Sequence, residues 1–130
     1  MDQSAYQSAL ASLTKKANDA LIEKERDRRV LAGATFTLQS GKQLRLRGDA
    51  LTRQNLGDLA GAATVASVKL VPFSVSYRDA DNILWVLNDD EIADLFLQAT
   101  SYVSSIFNAS FALKALNDLP TDYTSDARWP

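Results

Sequence analysis

Apolar residues along this chain change their spacing several times, and each change marks a predicted element. From residue 2 to about residue 31, Tyr6, Leu10, Leu13, Ala17, Ala20 and Leu21 recur at helical spacing among Ala, Gln, Lys and Glu. That pattern predicts a helix with a thin apolar stripe, which Asp2 or Ser4 could cap. At Gly33 the period becomes two. Phe36, Leu38, Leu44 and Leu46 share one face, and Thr35, Thr37, Arg45 and Arg47 share the other, on either side of a Ser40-Gly41 turn. This is a hairpin pattern. Gly48 closes it and Asp49 can cap a second helix from Ala50 to about Thr64, with Leu51, Leu56, Leu59 and Ala63 on its apolar side. Gly57 and Gly61 lie four apart on that helix. Because each glycine costs about 1 kcal/mol relative to alanine there, the pair predicts another backbone packed closely on that face. A loop over residues 66–72 leads to a second strand pair. Phe73, Val75 and Tyr77 alternate with Ser74, Ser76 and Arg78; D-A-D-N turns the chain; and Ile83 to Leu87 returns with Trp85 as a core residue.

The strand I-L-W-V-L then passes directly into the longest helix. In N-D-D-E, Asn88 and Glu91 stand three apart as a capping box, and the three acids Asp89, Asp90 and Glu91 oppose the positive end of the helix dipole. Ile92, Ala99, Ile106 and Leu113 recur every seven residues, with Leu95, Phe96, Tyr102, Val103, Ala109 and Leu116 beside them. No Gly or Pro intervenes before Pro120, so the helix is expected to reach residue 119 and to be on the order of 45 Å long. The architecture expected is α+β: an N-terminal helical arm over residues 1–31, a compact domain over 32–119 in which two hairpins and a short helix pack on the long helix, and a tail over 120–130. Tyr123 and Trp129 in that tail read as exposed, either frayed or docked on a partner.

Charge alters this picture at one place. The run E-K-E-R-D-R-R-V from Glu23 to Val30 is nearly all charged with mixed signs, which reads as a solvated helix face laced with pairs at three- and four-residue spacing. A second reading makes the helix an arm whose narrow stripe is buried only by another chain. Lys42, Arg45, Arg47 and Arg53 gather on and after the first hairpin, but a net charge of -2 and the lack of interleaved aromatics argue against a nucleic-acid surface. No apolar run reaches the roughly 20 residues that span a bilayer, and the N-terminus has no basic start or apolar core of a leader, so synthesis in a cytoplasm is expected.

The chain contains neither Cys nor His. That removes disulfides, thiolate nucleophiles, Cys- or His-based zinc sites and the commonest general base. The acids Asp89, Asp90, Glu91 and Asp94 occupy the first turns of a helix and are expected to fan outward, which suits capping and not a converging metal site. Asp79, Asp81 and Asn82 lack the Gly and closing Glu of a calcium loop, so they read as turn residues. No catalytic, cofactor or metal site is expected, and no enzymatic activity.

Taken together, the order R-D-R-R-V, a Gly-Lys turn between strands, D-A-L-T-R-Q-N-L opening a helix, D-A-D-N with Trp85, and L-N-D-D-E-I-A-D-L leading a long helix resembles a domain-of-unknown-function family of tailed bacteriophages, commonly encoded near or fused to tail-fibre proteins. The resemblance covers residues 25 to 119. The loop at 62–72 is longer than the family pattern, and Trp85 follows the D-N turn instead of preceding it. The resemblance implies a structural component of a phage tail, a fibre- or baseplate-associated adaptor acting through protein–protein contacts; the alternative is a fibre-assembly chaperone that does not stay in the virion. Implied partners are other tail proteins and further copies of the chain, with no nucleic acid and no membrane, and the implied location is the virion tail. The residues expected to meet a partner are Tyr6, Leu10, Leu13, Ala17, Leu21, Tyr123 and Trp129.

Overall fold

A computed structural model describes residues 3–130; the proposed cap Asp2 lies outside them. The fold is α+β, with α1 at Gln3–Ala32, a hairpin of β1 (Ala34–Thr37) and β2 (Gln43–Leu46), α2 at Ala50–Val68, a hairpin of β3 (Ser74–Arg78) and β4 (Leu84–Asn88), and α3 at Asp89–Lys114. A short 3-10 turn follows at Asp126–Arg128. The chain divides into two compact units. One joins α1 up to Arg29 with Ser105–Pro130, and the other is Val30–Ser104. The second division therefore falls inside α3, not at the start of the tail.

In the Val30–Ser104 unit the two hairpins are separate antiparallel sheets. Phe36 pairs with Leu44 and Ala34 with Leu46, so the period-two pattern is realised in register. Phe36, Leu38, Leu44, Leu46, Leu56, Ala63, Leu87, Ile92 and Leu95 form one core, with Trp85 and Tyr102 packed against it. The capping box is made as expected: Asn88 Oδ1 accepts from the Glu91 amide at 2.9 Å, and Glu91 Oε1 accepts from the Asn88 amide at 3.1 Å. Asp49 caps α2, accepting from both the amide and the hydroxyl of Thr52.

The acids of α3 do more than cap. Glu91 is buried, and its Oε2 accepts from Ser40 Oγ at 2.8 Å and lies 2.7 Å from Lys42 Nζ. Asp94 Oδ2 accepts from the Gln39 amide at 2.8 Å. Two of the four acids expected to fan outward are instead turned onto the β1–β2 turn, which no local pattern could reveal. Asp79 is likewise buried: Oδ1 accepts from the Asp81 and Ile83 amides, and Oδ2 accepts from Trp85 Nε1, each at 2.9 Å. Turn chemistry accounts for it.

The glycine reading is corrected. A Cβ on Gly61 would meet nothing within 4 Å, and one on Gly57 would meet only the end of the Phe96 ring at 3.9 Å, so no backbone approaches that face. The close approaches are at Gly33 and Gly48, whose added Cβ atoms would lie 1.7 Å from Leu46 O and 2.0 Å from Val30 O. These two residues clasp the first hairpin where the chain enters and leaves it.

Both long helices end differently from expectation. α2 continues to Val68 because A-S-V contains no breaker. It closes in a Schellman arrangement: Val71 N–H donates to Ala66 O and Leu70 N–H to Ser67 O, with Pro72 next. Leu70 therefore occupies the left-handed position, φ 54°, usually filled by glycine. α3 stops at Lys114, short of Pro120. Leu116 N–H donates to Leu113 O, three residues back instead of four, so the last turn tightens and the α-helical pattern ends there. The helix is about 39 Å long, not 45 Å.

Candidate functional site

In the unit built from α1 up to Arg29 and Ser105–Pro130, the two helices run antiparallel. Glu23 accepts from Lys114 Nζ at 2.7 Å, and three residues further along α1 the Arg26 guanidinium stands 4.8 Å over the Phe107 ring. Ile22, Ile106, Ser110 and Leu113 are buried.

The charged run is not simply solvated. Glu25 and Arg29 are buried, and Glu25 Oε1 accepts from Arg29 Nε at 2.9 Å while Arg28 clasps the same carboxylate. Hydrogen bonding from Arg28 holds the Glu25 carboxyl below its ordinary range, aided by Arg29 and outweighing burial. Arg29 Nη2 also donates to Thr124 O and Asp126 Oδ1, both at 2.8 Å. The tail folds back over this face. Trp129, expected to be exposed, is only 6% exposed; Arg29 stands 5.4 Å over its ring, and its Nε1 donates to Tyr123 O at 2.8 Å. Tyr123 is half-buried. Trp129 thus faces its own chain, because Arg29 supplies hydrogen bonds and a cation that the tail's own sequence does not reveal.

The helical stripe is placed differently. Tyr6, Leu10, Leu13, Ala17 and Leu21 are all exposed; Leu13 is 63% exposed and Tyr6 58%. At about 100° per residue the stripe lies about 110° around the helix from Ile22, Glu25 and Arg29, so it is not the face that packs. Every residue from Gln3 to Ala17 is exposed. That segment, about 22 Å long, carries no charge before Lys15. The steps 6, 10, 13, 17, 20 follow the four-three alternation of a helix seam.

Sequence reasoning missed a second exposed apolar group. Val65, Val68, Leu70 and Val71 at the end of α2 are all exposed, Leu70 by 90%. It also missed an apolar cleft of about 190 Å³ in the same unit, lined by Phe36, Leu46, Leu56, Phe96, Tyr102 and Val103, with Arg47 and Arg53 also on its wall. The cleft carried no sequence signal, since its wall comes from five elements, Val30 at the end of α1 among them. Among the described residues no group of three or more Asp or Glu is placed to hold a metal ion, and no helix is long and apolar enough to cross a membrane.

Comparison with known proteins gives one match. No curated protein and no solved structure matches the chain. Residues 14–127 match the family described as Domain of unknown function (DUF4376), a wider stretch than the sequence resemblance covered, taking in much of α1 and of the tail. With most of its length matched, the chain belongs to that family of unknown function.

Proposed function

We propose that this protein is an assembly component that works by protein–protein contact, with the first turns of α1 as the segment that docks on a partner. The observation that carries this reading is the exposure of every residue from Gln3 to Ala17, a segment whose large apolar side chains, Tyr6, Leu10 and Leu13, fall in one seam. An isolated helix of about 15 residues is marginal in water, and large apolar residues in one exposed row gain free energy when another chain covers them. The absence of charge from Gln3 to Thr14 specifies the partner's chemistry: an apolar groove or helix face, recognised by shape and burial. Such docking responds little to salt.

The biological setting comes from the order of sequence segments and not from the geometry. We place the protein in the tail of a bacteriophage, as a fibre- or baseplate-associated adaptor. Mass spectrometry of purified particles tests this. Retention at fixed copy number relative to the major tail protein is expected; absence from particles whose lysate contains the protein would contradict an adaptor and favour an assembly chaperone.

A further inference from the structure

We propose that the end of α2 is a knob that seats in the apolar cleft of a second copy of this chain, giving a head-to-tail contact independent of the α1 stripe. Both surfaces lie within the Val30–Ser104 unit.

The knob is defined by strain and exposure together. Leu70 holds φ 54° in the Schellman position and is 90% exposed. A non-glycine residue there costs folding free energy, and burial within its own chain does not offset the cost. Val68, 79% exposed, and Val71 extend the apolar patch around it. Beside Val68, a hollow is lined by Ser67, Asp89 and Asp90. Neither carboxylate makes an ion pair or hydrogen bond among the described residues. Among the described residues of the knob and its hollow, 65–71 with Asp89 and Asp90, Lys69 is the one cation, so the patch is net acidic.

The cleft is the complement. Its wall is Phe36, Leu46, Leu56, Phe96, Tyr102 and Val103, and its volume of about 190 Å³ accepts a branched aliphatic side chain with a smaller neighbour. Arg47 and Arg53 are the charged residues that line it, both exposed, and neither guanidinium makes an ion pair or hydrogen bond among the described residues. Asp49, the nearest acid in sequence, is hydrogen-bonded to Thr52, and the Arg47 charge acts on it only through space, helping to hold its carboxyl below the ordinary range. An apolar knob with acidic flanks and an apolar cleft with basic flanks suit a second copy in both shape and charge. The two patches differ, so the contact is heterologous and repeats into a ring or an open chain.

The test uses the full chain carrying Leu10→Asp and Leu13→Asp, which silences the α1 stripe, so that failure of this contact and failure of α1 docking are read separately. Sedimentation velocity from micromolar to millimolar concentration is expected to show mass rising past a dimer, and added salt to reverse it. Leu70→Gly relieves the strained position, so its melting temperature is expected to hold or rise while association weakens about tenfold or more. Arg47→Glu with Arg53→Glu, and separately Asp89→Lys with Asp90→Lys, are each expected to be monomeric, and mixing the two proteins to restore association, since each then offers the other an opposite charge. A monomer at every concentration would overturn the proposal, as would association that Leu70→Gly leaves unchanged or a mixture that fails to associate when both variants are folded by circular dichroism.

Discussion

Gly48 and Gly61 show how far a residue's identity can be interpreted without its neighbours. Both are small residues in a foldable context, yet one lies against a carbonyl and the other in open space. Gly48→Ala is expected to destabilise by about 2 kcal/mol or more, because backbone must move to admit the methyl group. Gly61→Ala is expected to stabilise by up to about 1 kcal/mol through helix propensity. Denaturant titration of the two variants checks the assignment, and equal effects would refute it. The carboxylates carry a pH prediction. Lys42 holds the Glu91 carboxyl below its ordinary range, with the Asn88 amide and Ser40 hydroxyl adding to it against burial. Burial acts to raise Asp79, but the Trp85 indole and the Ile83 and Asp81 amides outweigh it and leave that group lowered as well. For a lowered folded pKa the stabilisation is fully present above the unfolded carboxylate value of about 4 and is lost as pH falls through the folded value. Glu91→Gln is therefore expected to melt several degrees lower than wild type at neutral pH, with the gap closing on acidification below about pH 4. A gap that stays constant with pH would show that the Lys42 pair is not its source.

Elements with a strong local signature were legible in advance. The capping box at Asn88 and Glu91, the cap at Asp49 and the face pairing of Phe36 with Leu44 each depend on residues a few positions apart or on a short turn, and each is realised. Features made by distant segments were not. The burial of Glu25 and Arg29 depends on Thr124, Asp126 and Trp129, almost a hundred residues away. The early end of α3 was hidden by the apolar stripe, which runs past Lys114 to Leu116. Arg29→Ala removes the cation that ties the tail to α1 and leaves Glu25 with Arg28 alone. It is expected to cost on the order of 3 kcal/mol and to release residues 122–130 to fast hydrogen exchange. Unchanged protection of the tail would show that Trp129 docks without Arg29.

At the scale of the whole chain, the structure has two compact units and an exposed helical segment from Gln3 to Ala17. The Val30–Ser104 unit carries a continuous core from both hairpins, α2 and the first half of α3. The segment from Gln3 to Ala17 contributes nothing to either core, so Leu10→Asp with Leu13→Asp is expected to change unfolding free energy by less than about 0.5 kcal/mol. Under the proposed function, what those substitutions remove is the capacity to dock. Photo-crosslinking during particle assembly measures that capacity most directly, with the reactive side chain placed at Leu10 on the stripe and, as control, at Ser12 on the opposite face of the same turns. The account predicts a covalent adduct between the Leu10 position and another protein chain in assembled particles, with little or none from Ser12. Equal labelling from both faces, or none from Leu10 in particles that contain the protein, would contradict it.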